Sequence, residues 1–239
     1  MNWNDARIIL HLLRGQSRTG SHAQRLETFY APQAEHYDAF RERLLHGRKE
    51  LIAQLNPLPG AHIVELGGGT GRNLLYFGET LSTLGCVEVV DLCASLLKEA
   101  RERTKNYPNV RVIEADAVTY KPEQLVDCVY FSYAITMIPD WHGAINNAYA
   151  MLKPGGSLGV VDFYVSSKCA ESNSVQHGWF TRWFWPRWFG HDGVRLNPEH
   201  LSTLRKLFPD HKCFEKRAPV PYLPGLRVPY YIFIGKKVT

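Results

Sequence analysis

A glycine-rich turn between an apolar segment and a helical segment constrains the fold of this chain more than any other feature. Residues 63–66 are apolar apart from Glu65 and predict a short buried strand, and four of the next five residues are glycines. Glycine adopts backbone angles that a side chain forbids and lets the backbone approach a ligand closely. A strand that turns into a helix through such a loop predicts the first βα unit of a ligand-binding sheet.

Further strands and helices alternate after this turn. Apolar segments at 87–90, 110–113, 128–131 and 157–163 predict strands, and helices are predicted from about 73, at 95–105 and at 142–152. Strands that alternate with helices form parallel sheets with right-handed crossovers. Two final strands, near 213–216 and 230–235, predict an antiparallel pair that closes the sheet edge. The expected fold is α/β, a doubly wound and mostly parallel seven-stranded sheet.

The two ends of the chain differ from this core. Residues 1–58 are predicted to form a helical lid and residues 59–239 the core, with an aromatic-rich insertion at about 170–195. Residues 1–21 form a basic amphipathic segment that packs on the domain or faces a membrane, and both interpretations stay open. Residues 29–55 predict a second helical region, which the Pro and Gly residues at 57–60 end.

Composition narrows the class of protein. The net charge of +5 is compatible with a solubilising surface or an anionic partner. The five cysteines contain no C-x-x-C pair and predict reduced, buried thiols in a cytosolic protein, not a disulfide frame or a zinc site. No metal-ligand spacing stands out among the ten histidines. No segment has the length of a membrane-spanning helix, so any membrane contact is expected to be peripheral.

Acidic residues accompany the glycine loop and follow the next two strands. The loop reads G-x-G-x-G with Glu65 two positions ahead, whereas a dinucleotide loop such as that of an NAD-dependent oxidoreductase has G-x-G-x-x-G. Asp91 ends the second strand and Asp116 follows the third. With the Lys153–Gly156 turn, these motifs resemble class I S-adenosylmethionine (SAM)-dependent methyltransferases over residues 60–165.

This resemblance implies SAM as the cofactor and assigns roles to the motif residues. Glu65 would favour the cationic sulfonium and amino group, Asp91 would accept both ribose hydroxyls, and Asp116 would accept from the adenine amino group. The segment after the fourth strand would line the methyl side of the cofactor. The predicted cofactor-binding residues in the core are Glu65, Gly67, Gly69, Gly71, Asp91, Asp116, Ala117 and Ser132.

Aromatic residues suggest where the methyl acceptor binds. Residues 29–38 resemble the N-terminal lid of lipid and quinone methyltransferases, in which a tyrosine folds over the methionine part of SAM; that role passes to Tyr37, with Tyr30 next. Tyr133 and Trp141 are candidates for a cage around a substrate amine. These aromatics alternatively pack in the core. The D/N-P-P-Y/F signature of DNA amino-methyltransferases is absent after the fourth strand, which counts against nucleic acid.

The tail adds a more specific resemblance. Residues 179–189 hold seven aromatics with Arg182 and Arg187 between them, which suits a membrane–water interface or an aromatic cap over the site. Together with residues 40–48, 192–196 and 228–235, this segment resembles the betaine-lipid N-methyltransferases. The resemblance implies three methylations of diacylglyceryl-homoserine by a cytoplasmic, peripherally membrane-associated enzyme, paired with a separate enzyme that forms the homoserine lipid.

Other functions stay open beside this one. They are a phosphatidylethanolamine N-methyltransferase, a quinone-type C-methyltransferase and a catalytically silent SAM-binding module. The homoserine carboxylate requires a cationic partner, for which Arg48, Arg72 and Arg195 are candidates.

Overall fold

The computed structural model of the protein describes residues 20–31, 42–168, 174–191, 193–221 and 223–238. Its centre is a seven-stranded sheet in the order β3-β2-β1-β4-β5-β7-β6. The strands are β1 His62–Leu66, β2 Cys86–Asp91, β3 Val110–Glu114, β4 Val126–Ser132, β5 Leu152–Phe163, β6 His211–Val220 and β7 Leu223–Lys236. The predicted sheet is therefore confirmed.

The pairing of the strands follows the predicted pattern. Within the group β1 to β5, all neighbouring strands pair in parallel. Strand β7 is antiparallel to both β5 and β6. Strand order reverses at β1, which lies between β2 and β4. At such a switch point the loops at the carboxyl ends of two adjacent strands diverge and leave a crevice for a ligand.

Helices cover both faces of the sheet. They are α1 His22–Tyr30, α2 Arg48–Leu55, α3 Thr80–Thr83, α4 Ala94–Thr104, α5 Trp141–Met151, α6 Trp179–Gly190 and α7 Glu199–Leu207, with 3-10 turns at Arg72–Phe77 and Ile135–Met137. Successive residues of a strand face opposite sides, so Ile63 belongs to one core cluster and Val64 to the other. Helices α2 and α6 contribute to the first cluster, and α5 and α7 to the second.

Two helical predictions need correction. The segment after the glycine loop forms a 3-10 turn and the short helix α3 in place of one regular helix, because Gly78, at a φ of 56°, ends the turn. The N-terminal helix α1 covers residues 22–30, so it starts before the second predicted helical region and overlaps it only at residues 29–30. Residues 1–19 and 32–41 lie outside the described residues, and with them half of the predicted lid.

The aromatic segment forms helix α6, with Pro186 inside it. Its buried face carries Trp185 and Phe189, which are 2% and 4% exposed and join the core cluster of α2. Helix α7 starts after Pro198, and just before it the Asn197 side chain accepts a hydrogen bond from the backbone N–H of Glu199 at 2.9 Å.

The described cysteines are Cys86, Cys93, Cys128 and Cys213, all with free thiols. Cys169 lies outside the described residues. In the described part of the chain, no helix combines the length and apolar character needed to cross a membrane.

Candidate active site

A cleft of about 270 Å³ lies at the carboxyl ends of β1 to β4, beside the switch point. The four strands end here in a row, so residues far apart in the sequence meet around one space. Of the predicted site residues, the cleft is lined by Tyr30, Gly67, Gly69, Asp91, Asp116, Ala117 and Tyr133. Glu65, Gly71, Ser132 and Trp141 do not line it, and Tyr37 lies outside the described residues.

The glycine loop forms the floor of the cleft at the end of β1. Gly67 has a φ of 73°, and a Cβ there would come within 2.5 Å of the Cβ of Ala134. Both the conformation and the close approach therefore require glycine. Gly71 contacts helix α4 instead of the cleft, since a Cβ on it would lie 3.4 Å from the Cβ of Ala100. The loop thus combines ligand-facing backbone with close loop–helix packing.

Glu65 lies beneath this loop and is fully buried. Its carboxylate accepts hydrogen bonds from the Asn73 amide at 2.6 Å and the Tyr130 hydroxyl at 2.8 Å. Burial raises the pKa of Glu65 to about 7, and the two hydrogen bonds oppose that rise. A nearby cation would favour the ionised form of the Glu65 carboxyl group. Because this group is buried beneath the loop and does not line the cleft, it would attract a positive ligand through space and not by direct contact.

Asp91 closes β2 at the wall of the cleft. One carboxylate oxygen accepts from the backbone N–H of Gly69 at 2.8 Å, and the other accepts from the backbone N–H of Cys93 at 2.8 Å. A carboxylate accepts about four hydrogen bonds, so these two bonds are compatible with further bonds to a pair of hydroxyls. Asp91 therefore both holds the glycine loop and faces the cleft.

Asp116 and Ala117 follow β3 on the same wall. The Asp116 carboxylate accepts from the backbone N–H of Val118 at 2.9 Å, which makes a local Asx turn. The amide of Asn147 donates to the Ala117 carbonyl at 2.9 Å and ties this turn to helix α5. The turn is thereby fixed before any ligand binds.

The segment after β4 forms the opposite wall. Tyr133 has a φ of 55°, which is a strained conformation for an aromatic residue, and its hydroxyl donates to the His46 carbonyl at 2.7 Å. The preceding Ser132 is buried behind it. Trp141 stacks on His142 with ring centroids 3.6 Å apart and contacts His200 at 4.5 Å. The structure thus brings Tyr133, and not Trp141, to the cleft.

Asp162 on β5 holds this wall in place and was not singled out from the sequence. Its carboxylate is fully buried and accepts from the backbone N–H of Thr136 at 3.1 Å and from the Thr136 hydroxyl at 2.8 Å. Burial raises the pKa of Asp162 to about 7. Met137, next to Thr136, lines the cleft. An aspartate within an otherwise apolar strand was the signal in the sequence.

Helix α1 covers the cleft, through His22, Leu26 and Tyr30. It begins with a capping box of Ser21 and Gln24, a pattern by which the start of this helix could be recognised in the sequence. Glu27 joins this helix to α4 by accepting from the backbone N–H of Ser95 at 3.1 Å. Of His22, Leu26 and Tyr30, only Tyr30 was predicted from the sequence.

Comparison with known proteins agrees with this geometry. Residues 63–156 match the methyltransferase domain family. The chain is 32% identical over 108 residues to the ubiquinone/menaquinone biosynthesis C-methyltransferase UbiE of Escherichia coli, an alignment that covers 44% of this chain and 43% of that protein. The chain therefore spans less than half the length of the curated relatives it matches.

Solved structures share the fold over more of the chain. Phosphoethanolamine N-methyltransferase 2 of Haemonchus contortus in complex with SAM superposes with a TM-score of 0.71 and 16% identity, over 93% of this chain and 61% of that one. The N-methyltransferase NodS of Bradyrhizobium japonicum, in complex with S-adenosylhomocysteine (SAH), gives a TM-score of 0.63 and 15% identity over 89% of this chain and 98% of that one. Residues 63–156 therefore match a methyltransferase domain family, and the chain shares the α/β fold of methyltransferases that bind SAM or SAH.

Proposed function

We propose that the protein is a SAM-dependent N-methyltransferase that acts on the amine of a membrane-lipid head group, with diacylglyceryl-homoserine as the substrate. The observation that carries this proposal is an exposed aromatic surface on helix α6, whose opposite, buried side packs behind the wall of the cleft. The cofactor would lie along the glycine loop, with its ribose at Asp91 and its adenine at Asp116. SAM supplies the electrophilic methyl group, and the protein aligns the acceptor amine with it.

The outer side of α6 carries four large aromatic residues, hereafter the aromatic face. They are Trp179, Phe180, Trp183 and Trp188, with exposed fractions of 73%, 43%, 48% and 41%. Exposed aromatic clusters of this kind are rare on soluble proteins without a partner. Tryptophan prefers the depth of lipid head groups, where its ring is partly apolar and its N–H is hydrated.

Positive charge accompanies the aromatic face. The Arg187 guanidinium lies 4.9 Å from the centre of the Trp183 ring and donates to the Trp183 carbonyl at 3.1 Å. Arg182 lies on the same helix, which has no acidic residue. Arginine beside interfacial tryptophan favours an anionic bilayer surface over a neutral one.

Two successive ring contacts join α6 to the cleft. Phe189 stacks on Phe163 with centroids 4.7 Å apart, and Phe163 contacts Tyr133 at 4.6 Å. Tyr133 lines the cleft. A bilayer on the aromatic face would therefore be separated from the wall that is assigned to the acceptor by the thickness of one helix, about 10 Å, which would keep lipid head groups near the cleft.

Tyr133 and Tyr30 are the aromatic residues available to hold the amine. Both line the cleft, and both are nearly buried, with exposed fractions of 4% and 5%. An aromatic wall attracts a methylated ammonium by about 0.5–2 kcal/mol. Since each methylation produces a better cation for such a wall, this arrangement favours successive transfers.

Arg195 is the best placed of the three arginine candidates for the substrate carboxylate. Its backbone N–H donates to the Thr136 carbonyl at 2.8 Å, which places it beside the cleft-lining turn, and its charge acts on His22 in the cleft. Arg72 forms an ion pair with Glu42 at 2.7 Å. Arg48 is buried and donates to the Leu45 carbonyl at 3.0 Å. Only Arg195 combines exposure with proximity to the cleft.

Mass spectrometry of lipids tests the acceptor. The protein is incubated with SAM that carries a deuterated methyl group and with vesicles that contain diacylglyceryl-homoserine, phosphatidylethanolamine or a demethylated quinone. We expect one, two and three labelled methyl groups on the homoserine lipid. Label on phosphatidylethanolamine alone, or on no lipid, would refute the homoserine-lipid assignment.

Vesicle sedimentation tests the aromatic face separately. Replacing Trp179 and Trp183 with serine should reduce binding to anionic vesicles several-fold and leave SAM affinity unchanged. Leu125→Ser is the matched control, because the Leu125 side chain is 49% exposed but lies outside the aromatic face. Equal sedimentation of the double variant and the control would contradict the membrane interface.

Carbon methylation of a quinone is the second candidate. It is favoured by the 32% identity to the E. coli C-methyltransferase, although that alignment covers only 44% of this chain. The quinone arm of the vesicle assay decides between the two: labelled quinone without labelled lipid amine would establish this candidate and remove the first. A catalytically silent SAM-binding module would transfer label to none of the acceptors.

A further inference from the structure

We propose that His62, Cys86 and Glu88 form a binding site for a divalent transition metal, best suited to Zn²⁺. The site lies on the amino-terminal side of β1 and β2, whereas the cleft lies at the carboxyl ends of these strands. One nitrogen, one sulfur and one oxygen ligand atom from these residues lie within 4.8 Å of one another. The proposal concerns a different part of the molecule from the proposed function and does not depend on it.

The strand register brings the three side chains together. His62 begins β1 and Cys86 begins β2, and the two are direct partners in the parallel pairing of these strands. Glu88 follows two residues after Cys86, and residues two apart in a strand project from the same face. The three ligands therefore share one face of two adjacent, rigid strands.

The distances suit a tetrahedral ion after a small adjustment. Zinc–ligand bonds of about 2.0–2.3 Å place neighbouring donor atoms about 3.3–3.8 Å apart. The Nε2 atom of His62 is already 3.3 Å from an oxygen of Glu88. The other pairs of ligand atoms are at most 4.8 Å apart, so they need to approach by no more than about 1 Å, which a change of side-chain torsion provides.

Two further features support a ligand here. The Nε2 atom of His62 is buried and makes no hydrogen bond within the described residues. Glu88 is 2% exposed, and its carboxylate accepts from the Tyr120 hydroxyl at 2.8 Å. An outer hydrogen bond of this kind orients a metal-binding carboxylate. A buried carboxylate also needs positive charge, which Arg111 supplies only partly from 4.0 Å.

The donor set indicates the class of ion. Thiolate with imidazole selects borderline-soft ions such as Zn²⁺ over Mg²⁺ or Ca²⁺, which prefer oxygen ligands. Three protein ligands leave one position for water. Because β1 is five residues long, the site lies about 13 Å from the glycine loop. An ion bound by residues of both β1 and β2 would cross-link these strands and stabilise the sheet, and it would not contact the methyl-transfer site.

Cobalt spectroscopy tests the site, because tetrahedral Co²⁺ bound to a thiolate gives a sulfur-to-cobalt charge-transfer band. The wild-type protein should bind one Co²⁺ with this band, and Zn²⁺ should displace it. Cys86→Ser should abolish the band, and His62→Gln should weaken Co²⁺ affinity about tenfold or more. Absence of the band in the wild-type protein would overturn the proposal.

Cys213→Ser is the matched control. Cys213 also precedes a glutamate by two residues on a strand, but there Arg205 takes the place of histidine, 3.7 Å from the sulfur and 2.7 Å from Glu215. This variant should keep the full charge-transfer band. Loss of the band in Cys213→Ser but not in Cys86→Ser would refute the assignment.

A measurement on the unaltered protein covers the case in which the variants fail to fold. Alkylation by iodoacetamide, followed by peptide mass spectrometry, reports on each cysteine separately. One equivalent of Zn²⁺ should slow modification of Cys86 and leave that of Cys213 unchanged. Equal rates at Cys86 with and without Zn²⁺ would contradict the proposal.

Discussion

Replacing Asp91 with alanine is expected to remove most of the affinity for SAM. In the structure the Asp91 carboxylate already accepts two backbone N–H groups, from Gly69 and Cys93, each at 2.8 Å. Bonds to two ribose hydroxyls would add two charge-assisted hydrogen bonds, worth about 1.5–3 kcal/mol each. Their loss amounts to roughly 3–6 kcal/mol, so the dissociation constant should rise about 10²- to 10⁴-fold.

Isothermal titration calorimetry measures this change, with SAM titrated into each protein. Asp127→Ala is the matched control, because Asp127 also accepts a backbone N–H, that of His62 at 2.8 Å, but at the far end of the sheet. The control should bind SAM as the wild type does. If a folded Asp91→Ala protein binds SAM within about threefold of wild type, the ribose assignment is refuted, since losing even one hydrogen bond of about 1.5 kcal/mol exceeds that factor.

Three further outcomes follow from the buried groups around the cleft. Since burial raises the pKa of Glu65 to about 7, SAM affinity should increase as the pH rises through 7. SAH affinity should increase less, because SAH keeps the cationic amino group but lacks the sulfonium charge, and Glu65→Gln should weaken SAM relative to SAH by about tenfold in calorimetry. The pKa of Asp162 is raised to about 7, so the folded protein holds this proton more tightly than the unfolded chain does. Its contribution to stability should therefore fall between about pH 4 and pH 7, and urea denaturation should show that Asp162→Asn loses this trend. Gly68→Ala should lower the melting temperature, because the added Cβ would lie 2.5 Å from a methyl group of Val89. Gly178→Ala is the control and should keep the melting temperature of the wild type, because the space around Gly178 is open. Equal melting temperatures of the two variants would contradict this packing.

The parallel sheet and the cleft walls could be predicted because the determining signals are local. Each strand is a short apolar segment, and the glycines and Asp91 and Asp116 come directly after strands. Parallel strands end at the same edge, so sequence order alone brings those residues together. The positions of Gly67, Gly69, Asp91, Asp116 and Ala117 in the structure agree with that reasoning.

The rest depends on packing that a single sequence does not encode locally. The aromatic run was evident, but which rings face outward was not: Trp185 is 2% exposed and Trp179 is 73% exposed. Trp141 was assigned to the substrate cage from its place in the chain, whereas it stacks on His142. The His62–Cys86 pairing arises only from strand register, which no sequence spacing reveals.

The central claim is that the carboxyl ends of β1, β2 and β3 form a cradle for a cationic sulfonium cofactor. Calorimetric titration of the full chain with SAM, SAH and NAD tests this claim most directly. The structure predicts that SAM binds with a stoichiometry of one, that SAH competes for the same site, and that NAD produces no binding heat. Binding of NAD in preference to SAM, or no binding of SAM by the folded protein, would contradict it.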